Sequence, residues 1–219
     1  MDLQSTIIMY MEIIGAIAFS ISGTMVGIRL GLDLFGVMVL GCCTSVGGGM
    51  CRDVILGRLP AFMQNTAYFW IAALTSLMTF FFIYTNQEIL KELSEKKRHL
   101  ADVLLNFTDA IGLAAFTVVG ILVSAGAGYK DNYFVMVFMG VLTAAGGGLL
   151  RDTMAGVKPY IFTKHIYALA SIFGGIVFII LWEMSNEFTG VIVSCVLMIL
   201  TRLLAARFHW GLPRFKQEK

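Results

Sequence analysis

Charged residues are scarce in this chain of 219 residues: they make up 14% of it, whereas 58% of its residues are hydrophobic. The mean hydropathy is correspondingly high, at +0.82. A soluble domain of this length needs a more polar surface, so the composition excludes that class and indicates an integral membrane protein. The net charge of +2 is too small to indicate a nucleic-acid partner.

Signatures of catalysis and of metal binding are missing as well. The four cysteines form no CxxC pair and lie in apolar segments, where we expect small core residues. The three histidines lie in loops or at segment ends, and we assign them no metal role. The sequence contains no nucleophile–base arrangement, phosphate-binding loop or dinucleotide fingerprint, so we expect neither an enzyme nor a cofactor. Apolar and polar residues do not alternate, which argues against a β-barrel.

Seven apolar segments are long enough to be membrane-spanning helices, since a bilayer core needs about 20 apolar residues per helix. They are Thr6–Ile28, Leu34–Leu56, Thr66–Thr85, Val103–Gly126, Tyr133–Ala155, Ile166–Trp182 and Phe188–Ala206. The first lacks the basic region and cleavage site of a secretory signal, so we expect it to remain as a helix. Arg202 and Arg207, at the end of the short seventh segment, are expected to extend to the membrane surface.

The basic residues are distributed unequally between the two sides of these spans. With the N-terminus outside, all lysines and arginines except Arg52, Arg58 and Lys130 fall on the cytoplasmic side. The positive-inside rule therefore predicts a multi-pass protein of the inner (plasma) membrane with its N-terminus outside and its C-terminus in the cytoplasm. The one long charged connection, Asn86–Ala101, is expected to be a solvated linker on the cytoplasmic face.

An internal repeat organises the chain. Gly47–Asp53 reads GGGMCRD, Gly146–Asp152 reads GGGLLRD, and each copy is followed by glycine and proline at the same spacing. The first and fourth segments align at an offset of 97, and a two-residue insertion near Tyr129–Asn132 changes the offset to 99. At these offsets the matched pairs are Glu12 with Asp109, Phe19 with Phe116, Gly23 with Gly120, Thr44 with Thr143, and Tyr68 with Tyr167.

Each copy contains three spans, an odd number, so the second copy must be inverted in the membrane relative to the first. The sequence therefore predicts an all-α integral membrane protein with two inverted three-helix repeats and a separate seventh helix. Its expected parts are the first repeat at 1–88, a cytoplasmic linker at 89–101, the second repeat at 102–183, and the seventh helix with a basic tail at 184–219.

The triple glycines are the first candidates for a pathway through the membrane. Each glycine weakens a helix by about 1 kcal/mol relative to alanine, so we predict that both triplets interrupt regular α-helix near mid-membrane. Freed carbonyl groups cannot face lipid and would line a watery pathway, to which the preceding threonines could add hydroxyl ligands. The alternative is that the glycines permit close helix packing. The candidate pathway residues are Thr44, Gly47, Gly48, Gly49, Arg52, Asp53, Thr143, Gly146, Gly147, Gly148, Arg151 and Asp152.

The second candidates are the charges inside apolar spans, which are costly and usually functional. At about 1.5 Å per residue, Glu12 and Arg52 fall in the same half of the membrane, and Asp109 and Arg151 fall in the other half. We therefore predict that Glu12 lies near Arg52 and Asp109 near Arg151. Neighbours on a helix point to different sides, so Arg52 need not pair with Asp53. The alternatives are that the Arg–Asp pairs cap helices at the interface and that the two acids start helices near the headgroups.

The doubled GGGxxRDxxxGxxP pattern in a chain with seven predicted spans resembles the bacterial branch of the trimeric intracellular cation (TRIC) channels. The same pattern defines a bacterial family labelled a glycine transporter, and the resemblance covers roughly Glu12–Ile180. It implies a homotrimer in the lipid bilayer, with voltage-dependent gating and one potassium-permeable pore inside each protomer, shaped by kinks at Gly47–Gly49 and Gly146–Gly148. Animal members carry a lysine in the fourth helix, but Val103–Gly126 contains none, so the lipid-binding and gating features tied to it are not expected here.

Three functions therefore remain open at this point. The first is a potassium channel, with carbonyls and the Thr44 and Thr143 hydroxyls replacing part of the hydration shell of the ion. The second is a transporter of a small solute such as glycine, in which Arg52 or Arg151 holds the carboxylate by two hydrogen bonds. The third is a membrane scaffold that conducts nothing.

Overall fold

The computed structural model describes residues 3–86, 95–163, 166–208 and 210, with the backbone alone over 95–101 and at residue 163. Its described elements are α1 (Leu3–Arg29), α2 (Leu34–Ile55), α3 (Ala61–Gln64), α4 (Ala67–Thr85), α5 (Glu95–Ser124), a π-helical turn (Ala125–Tyr129), α6 (Tyr133–Met154), α7 (Tyr160–Thr163), α8 (Tyr167–Met184) and α9 (Glu187–Arg207). Within the described residues, seven helices are long and apolar enough to cross a membrane, namely α1, α2, α4, α5 with the π-helical turn, α6, α8 and α9. The predicted all-α membrane fold with seven spans is confirmed.

The two faces of the molecule are named by the chain ends that they contain. The start of α1 contacts the end of α5, where the Gln4 side chain donates to the Leu122 carbonyl at 3.4 Å. This is the N-terminal face. At the opposite end of the same helices, Arg29 pairs with Asp102 at 2.7 Å, on what we call the C-terminal face. Helices α1 and α5 are therefore antiparallel, as the inverted repeat requires.

Helix caps locate the insertion between the repeats. Gly31 and Gly128, which align at an offset of 97, both have positive φ, 71° and 97°. The caps of α2 and α6 align instead at 99: Asp33 accepts from the amide of residue 36, and Asn132 accepts from that of residue 135. The two extra residues consequently lie between 128 and 132, where the insertion was predicted.

The glycine triplets do not interrupt their helices, so that prediction is wrong. Both α2 and α6 are continuous α-helices through the triplets. A Cβ atom added at Gly48 would overlap the Thr143 carbonyl oxygen, and one added at Gly147 would overlap the Thr44 carbonyl oxygen. The glycines therefore let the two backbones touch, which is the close packing that was the alternative interpretation. Their carbonyls stay in the helical hydrogen-bond pattern because the packed crossing holds both helices regular.

The core lies around this crossing. Phe19 of α1 and Phe116 of α5, which are equivalent positions, pack with ring centroids 5.3 Å apart. Contact between equivalent residues places the pseudo-twofold axis between these two helices. Helix α9 has no counterpart in the first repeat and packs against α8 and α5.

The predicted linker and tail are described only in part. Residues 89–94 of the linker and 211–219 of the tail lie outside the described residues. Residues 95–101 are helical and form the first turns of α5. The short helices α3 and α7 were not predicted; both begin directly after a proline, Pro60 or Pro159, a residue that tolerates a helix start because no amide donor is required there.

Candidate functional site

The charged residues of the first repeat form a cluster that we call the N-terminal half-site: Glu12, Arg52, Asp53 and Tyr68. Arg52 is 1% exposed and donates from Nε to Asp53 Oδ1 at 2.8 Å and from Nη2 to Oδ2 at 3.0 Å. Its Nη2 atom is also 3.8 Å from Glu12 Oε1. The predicted proximity of Glu12 and Arg52 is confirmed, and Arg52 pairs in addition with its own chain neighbour.

The C-terminal half-site contains Asp109, Arg151, Asp152 and Tyr167 of the second repeat, together with Arg202 of α9. Arg151 is fully buried and contacts Asp109 Oδ1 from Nη1 at 3.0 Å and Asp152 Oδ1 from Nε at 2.7 Å. The predicted proximity of Asp109 and Arg151 is also confirmed. The two clusters lie at opposite ends of the α2–α6 crossing, each at the end of its own glycine-bearing helix.

The repeated Arg-Asp-x-x-x-Gly-x-x-Pro pattern has one geometry in both halves. Asp53 Oδ2 accepts from the amide of Ala61 at 2.8 Å, and Asp152 Oδ2 accepts from the amide of Tyr160 at 2.8 Å. The intervening Gly57 and Gly156 have φ of 66° and 67°, a conformation that favours glycine. Each aspartate thus holds its arginine and the start of the following short helix together, so the capping interpretation and the ion-pair interpretation are both partly correct.

Arg202 belongs to the C-terminal half-site, so the prediction of its location is wrong. It was expected to extend to the membrane surface, but it is 4% exposed and its Nη2 contacts Asp109 Oδ2 at 3.3 Å. Its guanidinium also lies over the Tyr167 ring, 4.5 Å from the centroid. The buried carboxylate is the physical reason, because two guanidinium groups bind its two oxygens. Helix α9 is outside the repeat, so the repeat gave no signal for this contact.

A cavity of about 680 Å³ opens at the N-terminal half-site. The charged and polar residues at its wall include Glu12, Arg52, Asp53, Arg58 and Tyr68. A second, smaller cavity of about 30 Å³ lies beside Ser45, Gly49 and Phe116 and shares Glu12, Arg52 and Tyr68 with the first. It has room for about one water molecule. The N-terminal half-site therefore borders open space that continues toward the glycine triplet.

The candidate pathway residues separate into two groups. Those at the helix crossing are packed: the Thr44 and Thr143 hydroxyls donate to carbonyls of their own helices, each at 2.6 Å. The third glycine of each triplet belongs to a half-site instead. Beside Gly49, an added Cβ would meet only Arg52 Nη2, at 3.7 Å. Beside Gly148, it would meet the Tyr167 hydroxyl at 3.0 Å and Arg151 Nη2 at 3.7 Å.

Several residues of the half-sites were not predicted from the sequence. Tyr68 and Tyr167 already matched each other in the repeat, and that match was the available signal. Ser22 accepts a hydrogen bond from Arg151 Nη1 at 2.7 Å, for which the sequence contains no visible indication. Tyr160 lies under the Arg151 guanidinium, 4.9 Å from the ring centroid. Burial raises the pKa of the Tyr160 hydroxyl, so the ring stays neutral.

Comparisons with known proteins identify the family. A family model described as a glycine transporter matches residues 9–84 and 106–183, which cover both repeats. The inner membrane protein YadS of Escherichia coli K12 is 35% identical over 212 residues, covering 95% of this chain and 96% of that protein.

Two solved structures extend the likeness to the whole fold. A structure solved to explain conductance through TRIC cation channels is 34% identical, with a TM-score of 0.78 over 96% of this chain and 98% of that one. The TRIC trimeric intracellular cation channel orthologue from Rhodobacter sphaeroides is 28% identical, with a TM-score of 0.81 over 94% and 100%. The chain therefore belongs to the membrane-protein family that unites the prokaryotic TRIC channels with the bacterial domain described as a glycine transporter.

Proposed function

We propose that this protein is a cation channel of the TRIC type that conducts potassium through each protomer of a homotrimer. Its solved relatives are cation channels, and one of them is named as trimeric. The observation that carries the proposal is the pair of buried acid–arginine half-sites at the two ends of the α2–α6 crossing, one of which borders a cavity of about 680 Å³. Paired charges at that depth are typical of an ion pathway.

The proposed pathway enters at the N-terminal half-site and passes the third glycines. Gly49 borders the small cavity, and Gly148 lies at the equivalent position beside Arg151. Two carboxylates, Glu12 and Asp53, accompany the single buried guanidinium of Arg52 at the cavity wall. Together with the exposed Arg58 at the same wall, the two acids balance two guanidinium groups, and their carboxylate oxygens would attract a cation. The first two glycines of each triplet hold the helices at the distance that the pathway requires.

We also propose the orientation given by the positive-inside rule, with the N-terminal face outside the cell and the C-terminal face in the cytoplasm. The cavity would then open to the outside. The E. coli relative is named as an inner membrane protein, which agrees with the proposed location.

Planar-bilayer recording of the purified protein tests the channel. We expect potassium currents in discrete steps, with sodium and chloride as comparison ions. A variant that combines Arg52→Gln with Glu12→Gln removes both charges of this pair and should alter the conductance. A complete lack of potassium current at all voltages would contradict the channel.

A transporter of small zwitterions such as glycine is the second candidate, and one observation favours it. Glu12 and Arg52 lie 3.8 Å apart at the wall of the same cavity, so one solute could present its ammonium group to the first and its carboxylate to the second. Saturable uptake of labelled glycine into proteoliposomes, competed by unlabelled glycine, would support this candidate. A flux that rises linearly with concentration would instead support the channel.

A further inference from the structure

The two half-sites are equivalent by the repeat but differ in their surroundings. The cavity at the N-terminal half-site is bordered by Ile8, Leu122, Val123 and Ala61, in addition to the charged residues. At the offsets of the repeat, 97 for α1 with α5 and 99 for the later elements, these four positions have counterparts on the C-terminal face. Because the pseudo-twofold exchanges the two repeats, each position maps onto the other repeat. The counterparts are Leu105 for Ile8, Met25 for Leu122, Val26 for Val123 and Tyr160 for Ala61.

Among the described residues, these counterparts pack together in or against one apolar cluster. Met25, Val26 and Leu105 are 6%, 8% and 1% exposed and belong to one apolar cluster. The Tyr160 side chain packs against this cluster and against Arg151. Leu122 and Val123 are themselves 0% and 9% exposed, so these two pairs do not differ in burial. The difference lies in the other two pairs: half-buried Ile8 and Ala61 border the cavity, whereas Leu105 and Tyr160 pack in or against the apolar cluster.

The residue that differs most in volume between the two sets is the one at the start of the short helix. Ala61 leaves the N-terminal cavity open, whereas the phenol ring of Tyr160 occupies the corresponding place. The backbone there is held alike in both halves, because each amide donates to an aspartate at 2.8 Å. Position 160 therefore changes the space available without changing the local backbone arrangement.

We propose that Tyr160 is a plug that closes the C-terminal end of the pathway. The difference between Tyr160 in the second repeat and Ala61 in the first determines which half-site is open. The inference rests on the proposed pathway through each protomer. It assigns Tyr160 as a residue that limits permeation, next to the ion pair of Arg151 and Asp109 but distinct from it.

Thiol labelling of the purified full chain in detergent tests the plug without reference to the permeating solute. The four native cysteines are replaced by alanine, and a single cysteine is introduced as Ile8→Cys or as its counterpart Leu105→Cys. A small charged methanethiosulfonate reports access of water to each position. With Tyr160 present, we expect the thiol at position 8 to react at least about tenfold faster than the thiol at position 105, because a packed position must first open locally.

Reciprocal substitutions then exchange the two environments. Tyr160→Ala should raise the reaction rate at position 105 by at least about tenfold. Ala61→Tyr should lower the rate at position 8 by a similar factor. Tyr160→Phe retains the ring and should leave the rate at position 105 unchanged, as should Phe162→Ala, which removes a 73% exposed ring from the same short helix.

The outcomes separate the plug from the proposed function. A folded Tyr160→Ala protein that still protects position 105 would overturn the plug. If that variant does not fold, Ala61→Tyr decides, because an unchanged rate at position 8 would likewise overturn it. An equal rise in Phe162→Ala would show that the ring at 160 has no special role. If the rates change as expected but neither potassium current nor glycine uptake is found, the filled counterpart stands and the proposed function falls.

Discussion

At the scale of single residues, equivalent acids have unequal surroundings. The Glu12 side chain is 12% exposed at a cavity and 3.8 Å from one arginine. Asp109 is fully buried and contacts two arginines, at 3.0 and 3.3 Å. Loss of charge should cost little at the first position, because Arg52 keeps its pair with Asp53. It should cost much at the second, because Arg202 then loses the buried acid that it contacts.

We expect Asp109→Asn to lower the free energy of unfolding by about 3–5 kcal/mol, the typical cost of breaking a buried ion pair. Glu12→Gln is the matched control and should cost no more than about 1 kcal/mol, because Glu12 borders the cavity and Arg52 retains Asp53. Thermal unfolding of both variants in the same detergent measures the difference. Equal destabilisation would contradict the unequal burial of the two sites.

The same pair of half-sites predicts a functional rescue. Glu12→Gln leaves Arg52 with Asp53 as its remaining acid and should reduce cation conductance, because the cavity then has less negative charge. Adding Arg52→Gln removes the excess positive charge and should partly restore conductance in planar-bilayer recordings. A double variant that conducts less than Glu12→Gln alone would contradict charge compensation.

Both acid–arginine pairs could be predicted from the sequence because helix rise fixes depth, and depth restricts which charges can meet. Arg202 could not be placed in this way. Depth allowed it to reach either the membrane surface or the interior, and the choice depends on the rotation of α9 about its axis. That rotation depends on how α9 packs against α5 and α8, and the sequence alone does not predict this packing.

At the scale of elements, the glycines of each triplet have different roles according to their position. The middle glycines bring the α2 and α6 backbones into contact, and the third glycines border the half-sites. The weakening of a helix by glycine, about 1 kcal/mol per residue, was visible in the sequence. Its outcome was not, because the contact between the two helices offsets that cost and keeps both regular.

We expect Gly48→Ala to destabilise the protein by about 1–3 kcal/mol, because its methyl group would overlap the Thr143 carbonyl oxygen. Gly49→Ala has room for its methyl group and should leave stability unchanged or slightly increased, while reducing flux through the small cavity. Thermal unfolding and bilayer recording of both variants provide the two measurements. The assignment is contradicted if Gly49→Ala unfolds at a lower temperature than Gly48→Ala.

At the scale of the whole molecule, the inverted topology is present in the helix contacts, whereas the direction in the membrane is a prediction. We expect a C-terminal green fluorescent protein fusion in bacterial cells to fluoresce and a C-terminal alkaline phosphatase fusion to be inactive, since the basic C-terminal face should be cytoplasmic. A fusion after Gln64 should give the opposite pattern. Phosphatase activity at the C-terminus would reverse the orientation and place the open cavity toward the cytoplasm.

Arg202 makes the two ends of the molecule unequal. A duplicated three-helix unit on its own would form two interchangeable mouths, equally suited to flow in either sense. Helix α9 follows the second unit only, and through Arg202 it brings a second guanidinium to Asp109 that Glu12 does not receive. Helix α9 therefore gives a repeated structure a polarity, because the two mouths differ in charge although the repeat builds both on the same backbone pattern.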